Sequence, residues 1–562
     1  MTPDATAAPV DVSPEELASA AARLGYRLGP QQLSDMHAAV AAAAPAVTRL
    51  RDRPPAGNGA RALGAADPAH GNRWAEVVGV NDLAQAAAAV GQDDDDGAGD
   101  ALALLGAYRN GSRDPVAEVD AALSRLERAH ALLNCTIRVL AQDARSAAGE
   151  SARRWRTGTA RLLEGVPFVV KDVIDVAGVP TTAGSALHGS GDPPAESATV
   201  VARLVAAGAI PISKDNTTEF AVGGPHPPRF GACRNPWDTG RWAGGSSTGT
   251  AAAIAARVTP FGLGTDVGGS VRLPAAWCGL TGLKPTAGAI PRTGVWPLSW
   301  TTETTGPIAR SARDIALLFA VLRGPDGLDP RAGVVPDYRV PERPADLRGL
   351  RVAVPGGYFE QLCDDAVRAN RDALVAELVE AGAQVVAGEL PSAADALVIG
   401  YQIVFTEAAA LHRIDVERWA EYDPVTVRRI SQGITTPAYD YLRALQFRAQ
   451  LQAELDAVFT GADLIVLPTC PSTAPELPDC TVTVNGERYP LYAAQSRSTM
   501  LGNLTGAPGL AVPTGLAPDG CPTSALLMAP PHREDVTLRA ALFFQSVTSH
   551  HQARPALADR IS

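Results

Sequence analysis

Three short segments place reactive residue types beside glycine. The first is "GVPFVVKDVIDVAGVPTTAGS", residues 165–185, in which Lys171 closes an apolar run. An ammonium at the end of a buried strand loses solvation, and this lowers its pKa and makes it a candidate general base. Arginine cannot take that role, because its guanidinium does not deprotonate in proteins. An ion pair with Asp172 or Asp175 is the competing reading of the same residue. The chain carries 49 Lys and Arg together, yet only three are lysines, Lys171, Lys214 and Lys284. A coding bias toward arginine explains the scarcity, and each surviving lysine then raises the question of what arginine could not do there.

The second segment is "AGGSSTGTAAAIAA", residues 243–256, where two glycines and two serines run into an alanine-rich helix. A phosphate cradle or a serine-capped helix start would look the same. A Walker A loop is excluded, since no Gly-Lys-Ser/Thr follows. Within it "GSSTG" matches the G-x-S-x-G nucleophile elbow with Ser247 at its centre. That elbow needs a later histidine and acid, and His412, His532, His550 and His551 all lack a distinctive local context. The third segment is "GLGTDVGGSVRLP", residues 262–274. Its successive N–H groups at Val267, Gly268, Gly269 and Ser270 suit an oxyanion hole, with the glycines admitting a substrate carbonyl beside Ser270. It is not a dinucleotide fingerprint, because Val267 stands where the third glycine belongs.

The elements that must position these segments alternate. "DPVAEVDAALSRLERAH" puts Val116, Val119, Leu123 and Leu126 on one helical face. Apolar strands such as "VPFVV", "LRVAVPGG", "ADLIVLPT" and "GLAVPTG" then interleave with helices such as "VVARLVAAG" and "LVAELVEAG". This pattern predicts an α/β layered domain with a large parallel or mixed sheet. Ahead of it, "SPEELASAAARLG" predicts a helix with Ser13 as N-cap, Glu16 completing a capping box and Gly25 as its stop. A second helix is expected over about 31–44, ending before Pro45. The division expected is a helical appendage over 1–70, a linker over 71–100 and a catalytic domain over 101–555. The acidic run "GQDDDDGAGD" fails as an EF-hand, since Ala103 falls where the bidentate glutamate belongs, and reads as solvated linker.

With 562 residues, 46% hydrophobic and 19% charged, the chain is an ordinary globular one. Its formal net charge of −11, with no basic block, argues against nucleic acid or an anionic membrane as partner and for a small-molecule ligand. The first residues lack the basic and apolar regions of a signal peptide. The seven cysteines are scattered with no CxxC pair, so neither a disulfide framework nor a metal site is expected, and a cytoplasmic location fits.

Taken in order, Lys171 in "VKDVIDVAGVPTTAGS", "NTTEF" at 216–220, "RNPWD" at 234–238, "GGSSTGTAAAIAA" and "GTDVGGSVRLPAAWCGLTGLKPT" resemble the amidase signature family. The resemblance runs from about residue 100 to 550 and includes "ADLIVLPTCPSTAP" and "NLTGAPGLAVP". It implies an α/β/α sandwich around a large mixed, twisted sheet. It implies a Ser–cisSer–Lys triad in which Ser270 is the nucleophile, Ser246 the bridge and Lys171 the base. The family oxyanion hole falls on the amides of Val267, Gly268, Gly269 and Ser270. The segment "AVGGPHPPRFGAC" after "NTTEF" is implied as a wall of the acyl pocket, with Val222 and Gly223 against substrate. Such enzymes hydrolyse carbon–nitrogen amide bonds, carbamates and ureas included, through an acyl-enzyme, with no metal or organic cofactor. The helical appendage resembles that of free-standing bacterial amidases; a homodimer is open. The amidase component of a tRNA-dependent amidotransferase and an α/β-hydrolase esterase using Ser247 are the alternatives. The chain departs from the common pattern at Thr248, Thr250 and Glu303, of which Glu303 is expected to affect packing more than chemistry.

Overall fold

Strands buried on both faces need apolar side chains pointing both ways, and the apolar runs supply them. The computed structural model describes residues 12–23, 26–51, 100–189, 191–412, 414–477 and 479–561. Its strands in the large sheet are β1 (Thr136–Val139), β2 (Pro167–Lys171), β3 (Ile210–Asp215), β4 (Phe261–Asp266), β5 (Thr281–Lys284), β6 (Thr304–Ala309), β7 (Arg351–Ala353), β8 (Gln384–Val386) and β9 (Leu464–Pro468). The hairpin β10 (Thr481–Val484) and β11 (Glu487–Pro490) stands apart, and β12 (Gly509–Leu516) and β13 (Pro522–Met528) rejoin the sheet. The 11-stranded order is β1-β3-β2-β4-β6-β5-β12-β13-β9-β7-β8. β2 runs parallel to β3 and β4, and β7 parallel to β8 and β9, while the other pairings are antiparallel. The sheet is therefore mixed, as expected.

Alternate residues feed opposite layers. Phe168, Val170, Leu510 and Val512 pack in the cluster holding the helices Ala312–Leu322 and Glu534–Val547. Val169 and Ala511 face the other way, onto Thr248–Ala255 and Pro115–Leu133. Farther along, Ile465, Leu467, Leu526 and Met528 meet Ala393–Leu411, Ala438–Gly461 and Thr499–Thr505. Helices thus cover both faces, which is the α/β/α sandwich. Ala393–Leu411 is the one helix among the described residues long and apolar enough to cross a membrane. Its apolarity is accounted for by its contacts with Pro424–Thr435, Ala438–Gly461 and Thr499–Thr505.

At the N-terminus, Ser13 and Glu16 exchange the capping-box bonds, at 2.8 Å from Ser13 N to Glu16 Oε2 and 3.2 Å from Glu16 N to Ser13 Oγ. The expected stop at Gly25 lies outside the described residues. The second helix differs from expectation: it spans Pro30–Arg51 and runs through Pro45. Proline removes one backbone bond, but Met36 and Ala39 before it and Val47 after it are all buried. The helix packs on Pro424–Thr435, Ala438–Gly461 and Ala393–Leu411, and this packing carries it past the proline. Residues 52–99, and with them all of the expected linker but Asp100, lie outside the described residues. From Asp100 the chain is docked: Asp100 pairs with Arg313 at 2.8 Å, and Ala101 N donates to Asp314 Oδ2 at 2.9 Å. At the other end the helix Ala556–Ile561 buries Leu557 and Ile561 against the Pro115–Leu133 layer, so the packed body runs past residue 555.

The helix Thr248–Ala255 sits so close to the sheet that only small residues fit. A Cβ on Gly262 would come within 2.8 Å of Val169 O, and one on Gly264 within 2.6 Å of Ser247 Oγ. On the helix itself, a Cβ on Gly249 would overlap Cys135 O and lie 2.6 Å from Asn216 N. Gly249→Ala is expected to cost about 1–3 kcal/mol through overpacking of rigid backbone. Gly149→Ala, in an exposed helix interior with nothing within 4 Å of the new Cβ, is expected to stabilise by up to about 1 kcal/mol. Denaturant midpoints of the two variants should move in opposite directions.

Candidate active site

β2 delivers Lys171 from its last position with the side chain fully buried. Lys171 Nζ lies 2.6 Å from Ser246 Oγ and 2.8 Å from Thr265 Oγ1 on β4. Burial pulls its pKa down to about 7, against the opposing pull of the Glu303 and Asp266 carboxylates. Glu303 is itself pushed up to about 7 by burial. Its carboxylate is among the charges that oppose the lowering of Lys171. The ion-pair alternatives for Lys171 are taken elsewhere. Asp172 binds Lys214 at 2.9 Å, and Asp175 accepts from Thr181 Oγ1 at 2.6 Å. Lys284, also fully buried and lowered to about 7 by burial, donates to Pro285 O at 2.6 Å.

A cis peptide joins Gly245 to Ser246. The "NTTEF" segment fastens the serine turn: Thr217 Oγ1 donates to Ser246 O at 3.0 Å, and Thr248 Oγ1 and Gly249 N donate to Asn216 O at 3.0 and 2.9 Å. Ser247 is fully buried and points back at β4, with Oγ 3.5 Å from Thr265 O. The elbow reading fails on that geometry.

Asp266 organises the loop that follows β4. Its carboxylate accepts from Gly269 N at 2.8 Å, from Val271 N at 3.2 Å and from Asn503 Nδ2 at 2.9 Å. Arg272 adds a two-pronged bond, Nε and Nη2 each at 2.9 Å. Burial would raise this carboxyl, but Arg272 and Asn503 hold it down at about 2. Thr499 Oγ1 ties down Gly268 O at 2.7 Å. Gly269 sits at φ +126°, and a Cβ there would meet Leu273 Cγ at 2.8 Å. The loop glycines are therefore required by neighbouring protein as well as by the cleft. Among the described residues the amides of Val267, Gly268 and Ser270 donate to no protein acceptor. The Gly269 amide, expected in the oxyanion hole, is instead committed to Asp266, because that bond fixes the turn.

These parts border one cleft. Ser246, Ser270, Val267 and Gly268 line it, and so do Val222 and Gly223; Lys171 lies behind Ser246. The wall also includes Tyr401, Phe405, Arg429, Tyr492, Gln495 and Ser496. None of these six carries a signal in the sequence. They come from elements far apart in the chain, with no motif around them. Asp266 and Arg272, also missed by sequence reasoning, do have a signal: they flank the glycine loop as "DVGGSVR". In chemical terms, a hydroxyl bonded to a buried amine of pKa about 7 shares a cleft with a second serine and three free amides. Such an arrangement can move a proton off a serine and hold a developing oxyanion.

The family model described as "Amidase" matches residues 117–538. AtzE, the 1-carboxybiuret hydrolase subunit of Pseudomonas sp. (strain ADP), is 36% identical over 444 residues, covering 78% of this chain and 95% of that one. A glutamyl-tRNA(Gln) amidotransferase subunit from Chloroflexus aggregans is 36% identical over 469 residues, covering 78% and 94%. A solved structure, described as a vestigial protein complex that reveals the origins of an s-triazine catabolic enzyme, superposes with a TM-score of 0.76 at 33% identity, covering 80% and 98%.

Asp266→Asn should leave the Arg272 guanidinium buried without its counter-charge, at a cost of about 3–5 kcal/mol in a denaturant melt. Asp266→Asn combined with Arg272→Met should recover much of that loss, since replacing both partners removes the stranded charge.

Proposed function

The chain belongs to the amidase family and is a hydrolase of amide carbon–nitrogen bonds, and from that premise we propose that Ser270, Ser246 and Lys171 carry out the reaction. Neutral Lys171 takes the proton of Ser246, which takes that of Ser270 as its Oγ bonds to the amide carbonyl carbon. The amides of Val267, Gly268 and Ser270 hold the resulting oxyanion. Collapse breaks the C–N bond, the relay returns a proton to the departing amine, and water hydrolyses the acyl-enzyme. The observation that carries this reading is the 2.6 Å bond from Lys171 Nζ to Ser246 Oγ, made by a buried amine to which no carboxylate among the described residues is bound. Val222 and Gly223 serve as substrate-facing wall.

A second reading, an amidotransferase component that works with partner chains, is favoured by the 36% identity to the glutamyl-tRNA(Gln) amidotransferase relative. Hydrolysis of simple amides by the purified chain, without ATP or other chains, would set it aside. The scattered cysteines, all unpaired, support a reducing compartment such as the cytoplasm, and a homodimer is the assembly to check by sedimentation.

A fluorophosphonate should attach to the peptide containing Ser270, and Ser270→Ala should abolish both labelling and turnover. Ser246→Ala should lower kcat by about 10²–10⁴, and Ser247→Ala by less. Labelling of Ser247 with full activity in Ser270→Ala would overturn the assignment.

The pH dependence follows from Lys171. Its pKa is lowered, so the neutral form grows as pH rises through about 7. kcat/KM should climb about tenfold per pH unit below that value and level off above it. Lys171→Arg should be nearly inactive at every working pH, because it supplies no base, and less stable than the wild type, because it buries a permanent charge with no counter-ion. An active Lys171→Arg enzyme would remove the lysine from the mechanism.

A further inference from the structure

The cleft wall at Val222 and Gly223 is backbone that would not rest where it does unaided. Phe220 and Ala221, which lead into it, both lie in the left-handed region, at φ +50° and +59°. Two consecutive residues with side chains stay there only when surrounding contacts outweigh the cost. Phe220 has contacts of its own, stacked on Trp296 and His412 at 5.8 and 5.4 Å between ring centroids. The residues after it are tied to the helix Pro424–Thr435, chiefly by a carboxylate behind the cleft lining, Asp423.

Asp423 is the N-cap of that helix, with Oδ1 accepting from Val425 N at 2.9 Å. A cap needs only that one oxygen. The other, Oδ2, reaches across and accepts from Gly224 N. Asp423 is itself anchored, since its N–H donates to Glu219 Oε2 at 2.8 Å and Glu219 Oε1 accepts from Ser185 Oγ at 2.8 Å. From the same helix, Arg429 Nη1 donates to Val222 O, so the wall is gripped at 222 and at 224. Asp423 Oδ2 also closes the space behind Gly223: a Cβ there would lie 2.7 Å from that oxygen and 2.8 Å from Thr426 Oγ1. Gly224 is backed by Val425 Cγ2, 2.9 Å from where its Cβ would stand. The wall is bonded to the helix, packed against it, and has no room to retreat.

We infer that Asp423 is a positioning residue for specificity: by holding the 222–224 wall against the helix Pro424–Thr435, it sets the largest acyl group the cleft accepts. The inference rests on the reading of this cleft as the active site. Asp423 meets neither the substrate nor the reacting atoms and acts through Gly223 and Gly224. A wall free to yield takes up an extra methylene at little cost. One that is close-packed behind rejects it by about tenfold or more.

The test runs acetamide, butyramide, hexanamide, pivalamide and benzamide on the full chain. Sulfonyl fluorides of increasing bulk, from methanesulfonyl to phenylmethanesulfonyl, read the same pocket through the rate of Ser270 labelling, without turnover. The wild type should show a sharp cut-off, falling about tenfold or more from the best member to the next larger one. Asp423→Ser keeps an oxygen for Val425 N and loses the one on Gly224 N. It should raise the ratio of the first rejected member to the best one by about fivefold or more, mainly through KM. Asp423→Ala loses the cap as well, so it should shift the size profile to the same extent and melt below Asp423→Ser. Gly223→Ala, whose new methyl must push the wall into the cleft, should move the cut-off to smaller members. A size profile in the Asp423 variants identical to that of the wild type, at whatever overall activity, makes Asp423 a helix cap only and overturns the inference while leaving the Ser270 assignment standing. So does a wild type without a cut-off, or a cut-off unmoved in Gly223→Ala. Full activity in Ser270→Ala would instead remove the reading of the site itself.

Discussion

Burial of one lysine without a counter-ion is the constraint around which the rest is arranged. An amine removed from water and given only hydroxyl partners gives up its proton near neutrality. Lys171 meets that condition because the strands on either side of β2 close over it and Asp172, its neighbour in sequence, is held by Lys214. Lys284 shows that a lowered pKa alone does not make a base: it is as buried as Lys171, yet its amine donates to a backbone carbonyl and meets no serine. The geometry around the nitrogen, more than its pKa, separates the two.

The opposite electrostatic solution operates a few residues away. Asp266 is as buried as Lys171 but keeps its charge, because Arg272 and Asn503 and the loop amides surround it with donors. The pair fixes the turn that presents Ser270 and decides which amides of that turn are free. One buried group thus lacks a charged partner and loses its proton near neutrality, and one is fully paired and rigid. Both sit on the edges of the same pair of strands, so the sheet carries the register between them.

The cleft wall follows a different logic. Its catalytic side is built from short segments tied to the central sheet, whereas the opposite side comes from helices between residues 393 and 505. The N-terminal helix Pro30–Arg51 braces those helices from behind, with Gln432 Nε2 donating to Ala39 O at 2.6 Å, three residues from Arg429. The appendage is therefore in a position to affect substrate fit without touching substrate.

Ser246 was implied only by the family resemblance; local residue chemistry was enough to read the α/β class, the layered sheet, the capping box at Ser13 and the candidates Lys171 and Ser270. Each rests on short-range pattern: short continuous apolar strands, glycine-rich turns, and a lysine at the end of an apolar run. Tertiary structure decided what depends on distant neighbours. It carried the second helix through Pro45 because packing on both sides outweighs one lost bond. It turned Ser247 toward Thr265 and away from the cleft, and it committed the Gly269 amide to Asp266. It brought Arg429 in among three rings, from a helix with no motif to mark it. A sequence records which groups can lose or share a proton, but which groups are deprived of water and partners is settled only when segments hundreds of residues apart close over them.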